Sequence, residues 1–322
     1  MNSFPLVLNI LCTSDCSFNC IHCYIHDKEQ HDCTSEKLLD KVINILEKYP
    51  SIMFCHVSGG EPLLYKYFEQ LWITLHSRKL FMTLSTNLSL YNAKIQSLLE
   101  KYPPWKINAS LYGFSEETYY LITGVRNIRD TVYKNLSTIK LSFPQTSIYV
   151  KIPMLSGLWQ EVEQIVHFCE QLKLEYGFVT VLYPPRNKAY NLSQLLIDRN
   201  SYFKFFMNQV KKLITMTPFD KKQLENFQDV RKCSAWQQLE IKYNGEISNC
   251  LDFQTLEKND TEFLPKVFFS YKENCVTCEA KGFCSLCNAK ISSYKKVNFV
   301  YQDYYCWTYK KIVAHIRKGD VV

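Results

Sequence analysis

From residue 6 to about 182, short apolar runs take turns with longer stretches in which apolar residues recur every three or four positions. The short runs are LVLNIL (6–11), IMFCHV (52–57), FMTLS (81–85), KINASL (106–111), SIYVKI (147–152) and YGFVTVL (176–182). Their length and β-branched content predict buried strands. The longer stretches predict helices over 34–49 and near 65–78, 91–101, 115–121, 128–141 and 158–173. The first of these, TSEKLLDKVINILEKY, opens on Thr34 or Ser35 ahead of acidic and apolar residues, a capping-box arrangement. Six strand–helix units in succession predict a parallel sheet with helices outside and functional groups at the C-terminal ends of the strands. Six units rather than eight predict an α/β fold of the partial, open (β/α)6 TIM-like barrel kind. Periodicity alone does not separate that from a doubly wound sheet.

A helical stretch from about 193 to 215 follows, and TMTPFDKK (215–222) reads as a boundary. Two domains are expected, 1–215 and 216–322. The second has little regular apolar pattern but holds seven of the 14 cysteines: Cys233, Cys250, Cys275, Cys278, Cys284, Cys287 and Cys306. A unit so small and irregular is expected to draw its stability from bound metal.

Composition narrows the class. The 322 residues are 47% hydrophobic and 21% charged with only 9 Gly and 11 Pro, which excludes a disordered or fibrous chain. The 15% aromatic content, 22 Tyr among it, is read mainly as core. The net charge of +7 is scattered in short runs such as Lys221–Lys222, with no basic stripe interleaved with aromatics, so no nucleic-acid partner is expected. The opening MNSFPLVLNILC has no basic n-region, and its apolar run is broken by Asn9. No stretch reaches the length of a membrane span, so a cytoplasmic protein without a membrane partner is expected. In a reducing compartment, 14 cysteines read as metal ligands rather than disulfides.

The densest chemistry is CSFNCIHCY (16–24), where Cys16, Cys20 and Cys23 are spaced C-x3-C-x2-C in the loop after the first strand. Spacing alone admits an iron–sulfur site or a structural zinc completed by His22 or His26. SGGEP (58–62) follows the second strand: Gly59 and Gly60 allow close backbone approach, Glu61 offers a carboxylate and Pro62 stiffens the turn. STN (85–87) ends the third strand and NASLYG (108–113) the fourth. Together these segments resemble the radical S-adenosylmethionine (radical SAM) enzymes, whose C-x3-C-x2-C loop is commonly followed by an aromatic, here Tyr24. The resemblance covers residues 16 to about 126. It implies that Cys16, Cys20 and Cys23 hold a 4Fe-4S cluster whose fourth iron is left to S-adenosylmethionine. Reductive cleavage of that cofactor gives a 5′-deoxyadenosyl radical. It further implies cofactor contacts from Tyr24, Gly59 and Gly60, from Glu61 to the ammonium, from Thr86 and Asn87, and from Ser110 to the ribose. Arg126 is a candidate for the SAM carboxylate, or for a surface salt bridge. Where many relatives carry an Asp two residues after that Ser, this chain has Tyr112.

The C-terminal spacing, C-x2-C-x5-C-x2-C over 275–287 with flanking Cys233, Cys250 and Cys306, resembles the SPASM domain of peptide-modifying radical SAM enzymes. That implies two auxiliary 4Fe-4S clusters, an outer one on Cys275, Cys278, Cys284 and Cys306 and an inner one on Cys233, Cys250 and Cys287. Two zinc knuckles are the alternative. Before Cys287 the family spacing is x3 and here it is x2. Bound clusters would remove about four of the formal positive charges. Cys12, Cys55 and Cys169 read as core and Cys33 fits no pattern. Asp252, two residues past Cys250, is a candidate general base.

The resemblance implies hydrogen abstraction from a ribosomally made peptide, ending in crosslinking, epimerisation or oxidation, with a flavodoxin or ferredoxin as electron donor. The first strand begins near residue 6, so leader recognition is expected from a separate protein, the C-terminal domain or the barrel surface. The alternatives are a dehydrogenase or epimerase acting on a small molecule, a maturase that makes formylglycine on a sulfatase, and a catalytically idle cluster or zinc protein.

Overall fold

The computed structural model describes residues 5–25, 35–216, 238–248, 278–280 and 300–318. Its first part alternates strand and helix: β1 (Val7–Leu11), α1 (Ser35–Lys48), β2 (Phe54–Ser58), α2 (Phe68–Ser77), β3 (Phe81–Thr86), α3 (Ala93–Lys101) and β4 (Lys106–Ser110). Then come α4 (Glu116–Thr123), α5 (Arg129–Ser142), β5 (Ser147–Pro153), α6 (Val162–Gln171) and β6 (Glu175–Val179). All six expected strands form. The last stops at Val179 rather than 182, because the Leu182 N–H leaves the ladder to donate to the Tyr305 hydroxyl, 3.2 Å, and Pro184 and Pro185 follow.

These six strands are parallel and stand in chain order, β6-β5-β4-β3-β2-β1. Right-handed crossovers that all step the same way must put every connecting helix on one face. The burial alternation agrees. Leu8, Ile10, Cys55, Val57, Met82, Leu84, Ile107, Ala109, Ile148 and Val150 are all sealed in the helix-side core. Trp72 of α2 is fully buried there, its indole N–H donating to the Tyr102 carbonyl at 2.9 Å. Truncating a buried ring of that size costs about 3–5 kcal/mol. The opposite face carries Asn9, His56, Thr83, Asn108 and Tyr149, all half-buried. This is the open, partial-barrel α/β fold expected from the pattern.

Two features depart from the pattern. The helix expected over 193–215 is divided into a single turn, α7 (Leu192–Leu195), and α8 (Arg199–Met216). Leu196 between them is extended and bridges Leu155, and the Asp198 carboxylate restarts the helix by accepting from the N–H groups of Asn200 and Ser201. The second departure lies beyond residue 216, where no regular element was expected. There β7 (Gln238–Lys242) pairs in parallel with β1, Val7 opposite Gln238 and Leu11 opposite Lys242, and β8 (Ile247–Ser248) folds back on it. The hairpin turns on Asn244-Gly245, with Gly245 at φ +80°, and Lys41 of α1 donates to the Gly245 carbonyl at 3.2 Å. The alternation in QLEIK and the Asn-Gly turn were readable signals that the cysteine spacing overshadowed.

Near the C-terminus one π-helical turn, Gln302–Cys306, runs into α9 (Trp307–Lys318), which packs on α8. The Tyr304 hydroxyl donates to the Ile197 carbonyl at 2.8 Å, fastening this element to the α7–α8 break.

Candidate active site at the C-terminal ends of the strands

The loop after β1 is tied to its surroundings on four sides. On the β2 side Cys12 N–H donates to Ser58 O, Gly60 N–H to Thr13 O at 2.7 Å and Glu61 N–H to Asp15 O at 2.7 Å. A Cβ on Gly60 would sit 2.1 Å from the Asp15 carbonyl oxygen, and one on Gly59, at φ +138°, 2.5 Å from that of Thr13. The two glycines therefore let this loop lie against the cysteine loop, backbone on backbone. On the α4 side Asn19 and Ile21 donate N–H groups to the terminal carbonyls of Thr123 and Ile122, 2.8 and 2.9 Å. Phe18 anchors that side, buried edge-on to the rings of Tyr112 and Tyr119.

On the β3 side the Asn87 side-chain amide donates to Ser17 Oγ at 3.0 Å and points at Cys16 Sγ at 3.6 Å. Ser17 and Ser89 hydroxyls meet at 2.7 Å. Leu88 is fully buried in the left-handed region at φ +64° and held there by Asn135, whose amide donates to its carbonyl. A bulky residue in that conformation is strained, and the strain lies directly behind Asn87. On the β6 side Arg186 N–H donates to Cys23 O at 2.8 Å, while its guanidinium reaches Asn19 Oδ1 at 2.6 Å and Ile25 O at 3.5 Å. Arg186 was missed in the sequence because it belongs to no motif.

Cys16, Cys20 and Cys23 are all half-buried on this clamped loop, with a turn bond from Cys23 N–H to Cys20 O. Among the described residues no three His, Cys, Asp or Glu side chains converge closely enough for a single metal ion. Tetrahedral zinc, with Zn–S bonds near 2.3 Å, needs such convergence, whereas a cuboidal cluster spreads its thiolates over separate irons. The Phe18 N–H, 3.4 Å from Cys16 Sγ, and the Asn87 amide are the kind of donors that surround cluster thiolates. His22 is half-buried, its enclosed Nδ1 lacking a partner among the described residues, and desolvation lowers its pKa to about 4. The donor set fits an iron–sulfur cluster better than zinc. His26 and Cys33 lie outside the described residues.

Other expected contacts are redistributed. Glu61, expected to accept from the cofactor's ammonium, is 0% exposed, and its carboxylate takes hydrogen bonds from Thr86 Oγ1 at 2.7 Å, Asn87 N–H at 2.7 Å and Leu63 N–H at 3.2 Å. Its oxygens are turned into the protein, tying SGGEP to STN. Burial outweighs those three donors and raises its pKa to about 7. Thr86 is likewise inside, donating to Glu61 and accepting from Leu88 N–H. Ser110, half-buried at the end of β4, bonds the Tyr112 hydroxyl, whose pKa burial pushes far up. Tyr24 is 38% exposed and its ring lies 5.0 Å from that of Tyr183. Arg126 is exposed, with its guanidinium 3.8 Å above the Tyr120 ring rather than in an ion pair.

Cys12 and Cys55 are core residues, and so is Cys169, whose thiol burial raises to about 12. Of the C-terminal cysteines, Cys278 and Cys306 are described, both half-buried against the core margin. Cys233, Cys250, Cys275, Cys284, Cys287 and Asp252 lie outside the described residues. Among the described residues no helix is long and apolar enough to cross a membrane.

Solved structures share this fold at low identity. One described as native anSMEcpe with bound AdoMet and Cp18Cys peptide superposes with a TM-score of 0.69 at 18% identity, covering 98% of this chain and 97% of that one. Streptococcus suis SuiB bound to precursor peptide SuiA gives 0.64 at 18% identity over 94% of this chain and 75% of that one. In sequence, a "Probable GTP 3',8-cyclase" of Thermoplasma volcanium is 27% identical over 150 residues, 43% of this chain and 44% of that protein. The chain thus spans less than half the length of that relative. Residues 10–169 match the family model of the Radical SAM superfamily, which binds S-adenosylmethionine and a 4Fe-4S cluster. The cysteine loop and both neighbouring loops fall inside that match, and the chain belongs to the radical SAM superfamily.

Proposed function

We propose that this chain is a peptide-modifying radical SAM enzyme of the SPASM type, abstracting hydrogen from a ribosomally made peptide and leading to crosslinking, epimerisation or oxidation. The observation that carries this reading is the length of the structural likeness. It runs through 98% of the chain to a structure described with a bound peptide, whereas the likeness to the cyclase stops at 43%. In this reading Cys16, Cys20 and Cys23 hold the cluster, with the Asn87 amide directed at Cys16 and Arg186 steadying Cys23. Gly59, Gly60, Thr86, Asn87, Ser110 and Tyr24 frame the cofactor pocket, Glu61 setting its loops from behind. When bound, the cluster and cofactor supply the hydrogen-abstracting radical. The two auxiliary clusters would be held by Cys275, Cys278, Cys284 and Cys306 and by Cys233, Cys250 and Cys287. They give the removed electrons an exit, with Asp252 as the base. A separate leader-binding protein and a flavodoxin or ferredoxin complete the system.

The test is anaerobic reconstitution with iron and sulfide, then reduction in the presence of SAM and short peptides encoded beside the gene. The expected outcome is 5′-deoxyadenosine together with a peptide mass change. A loss of two hydrogens marks a crosslink or oxidation, and one deuterium taken up from heavy water marks epimerisation. No 5′-deoxyadenosine would sink the radical reading. A second reading, a small-molecule substrate, draws on the cyclase relative; turnover of GTP with no peptide modified would favour it.

A further inference from the structure

The open face of the sheet carries chemistry that the cluster loop does not use. Lys151, near the C-terminal end of β5, lies opposite Ser110 on β4 and is half-buried. Among the described residues its side-chain ammonium makes no hydrogen bond or ion pair. Burial, and then the charge of Lys106, lowers its pKa. Nearby, His56 Nε2 meets Ser85 Oγ at 2.6 Å and Asn108 donates its amide to the same oxygen at 3.3 Å. His56 is kept neutral by burial and by Lys151 itself. Strands β1 to β5 place no carboxylate on this face. The carboxylates flanking it are Glu175 at the entry end of β6, met by Ser147, and buried Glu240 on β7, met by Ser248. A mostly desolvated ammonium, with no anion beside it among the described residues, is a costly arrangement for an empty protein. It becomes favourable when a ligand brings the charge.

We propose that Lys151 is the docking point for a carboxylate of the substrate, seated on the belt formed by His56, Ser85 and Asn108. The inference rests on the peptide reading above and narrows it to a peptide that presents an acidic side chain or its own C-terminus. The charge count favours a single carboxylate. A nucleoside triphosphate brings about four negative charges and is ordinarily met by a nest of backbone N–H groups or arginines, whereas this belt offers Lys151 with Lys106 behind it.

The test reads Lys151 directly. The reconstituted full-length holoenzyme with SAM is treated anaerobically with limiting acetylating reagent, and labelling of Lys151 is followed by mass spectrometry, exposed Lys94 serving as control. Three probes at millimolar concentration are compared: Ac-Ala-Glu-Ala-NH2, Ac-Ala-Ala-Ala-OH and Ac-Ala-Gln-Ala-NH2. At least one acid-bearing probe is expected to slow Lys151 labelling about fivefold, with Lys94 unchanged and the glutamine probe inert; which acid protects names the source of the carboxylate. Equal protection by all three overturns the carboxylate preference and leaves the peptide reading standing. No protection by any probe overturns the inference. Full protection by SAM alone assigns the cation to the cofactor and overturns it too. Protection by GTP but by no peptide overturns both. Separately, Lys151→Met is expected to melt a few degrees higher than wild type without substrate. A lower melting point would show a partner for Lys151 within the chain and refute the proposal.

Discussion

The carboxylate of Glu61 is sealed from solvent and takes hydrogen bonds from Thr86, from the Asn87 N–H and from the Leu63 N–H. Its folded pKa near 7 stands above the ordinary 4.5, so the folded state binds that proton more tightly than the unfolded chain does. The stability this gives is complete below about pH 4.5 and lost as pH rises through 7. His56 acts with the opposite sign. Held near 4 against 6.5, it contributes stability above pH 6.5 that is lost as pH falls through 4. The difference profile between wild type and Glu61→Gln isolates the carboxylate. Urea midpoints of the cluster-free protein should show wild type losing about 3 kcal/mol relative to the variant between pH 4.5 and 7. A flat difference would refute the assignment. Gly60 acts through backbone contact alone. In Gly60→Ala the new methyl meets the Asp15 carbonyl oxygen, the two loops part, and iron bound after reconstitution should fall at least about tenfold while far-UV dichroism stays near wild type.

At the scale of elements, the segment 180–187 after β6 joins two distant parts. Leu182 N–H donates to the hydroxyl of Tyr305, next to Cys306, and Arg186 grips the loop of Cys23 and Asn19. Arg186→Ala keeps the backbone bond to Cys23 but releases the side-chain clamp. It should leave the melting temperature within a few degrees of wild type and speed loss of the cluster's visible absorbance in air several-fold; an unchanged bleaching rate would show the clamp to be idle. Elements were legible in the sequence where the period was unbroken, as in LVLNIL and SIYVKI. The break at Leu196–Asp198 was not, because Leu196 is apolar and keeps helical spacing while its backbone is drawn off by Leu155. The motifs located the cysteine loop but carried no sign of the contacts that brace it. In SGGEP the glycines serve loop-on-loop contact and the glutamate faces inward. Lys151, His56 and Arg186 carry no motif, and they are brought to the site only by strand register and a loop crossing.

At the scale of the molecule, β7 lies beyond the expected boundary at 216 yet forms the eighth strand's neighbour and the second partner of β1 within one sheet. A fragment ending at residue 216 would leave the β1 edge unpaired and the Lys41 ammonium without the Gly245 carbonyl. Such a fragment is expected to elute largely as aggregate in size-exclusion chromatography, whereas one extended through the β7–β8 hairpin should yield a much larger monomer fraction. Equal monomer yields would mean that the sheet edge at β1 tolerates exposure.

The placement of β7 also sets an order of events during synthesis. β1 and the three thiols are made first, and β2 can join them once residue 58 has emerged. The other flank of β1 stays open until residues 238–242 arrive, about 180 residues later, or roughly 10–40 s at ordinary elongation rates. Arg186, too, reaches the thiol loop well after that loop has left the ribosome. The earliest residues of the site therefore gain two of their described neighbours late, and cluster insertion is expected to be efficient only after residue 242 has emerged.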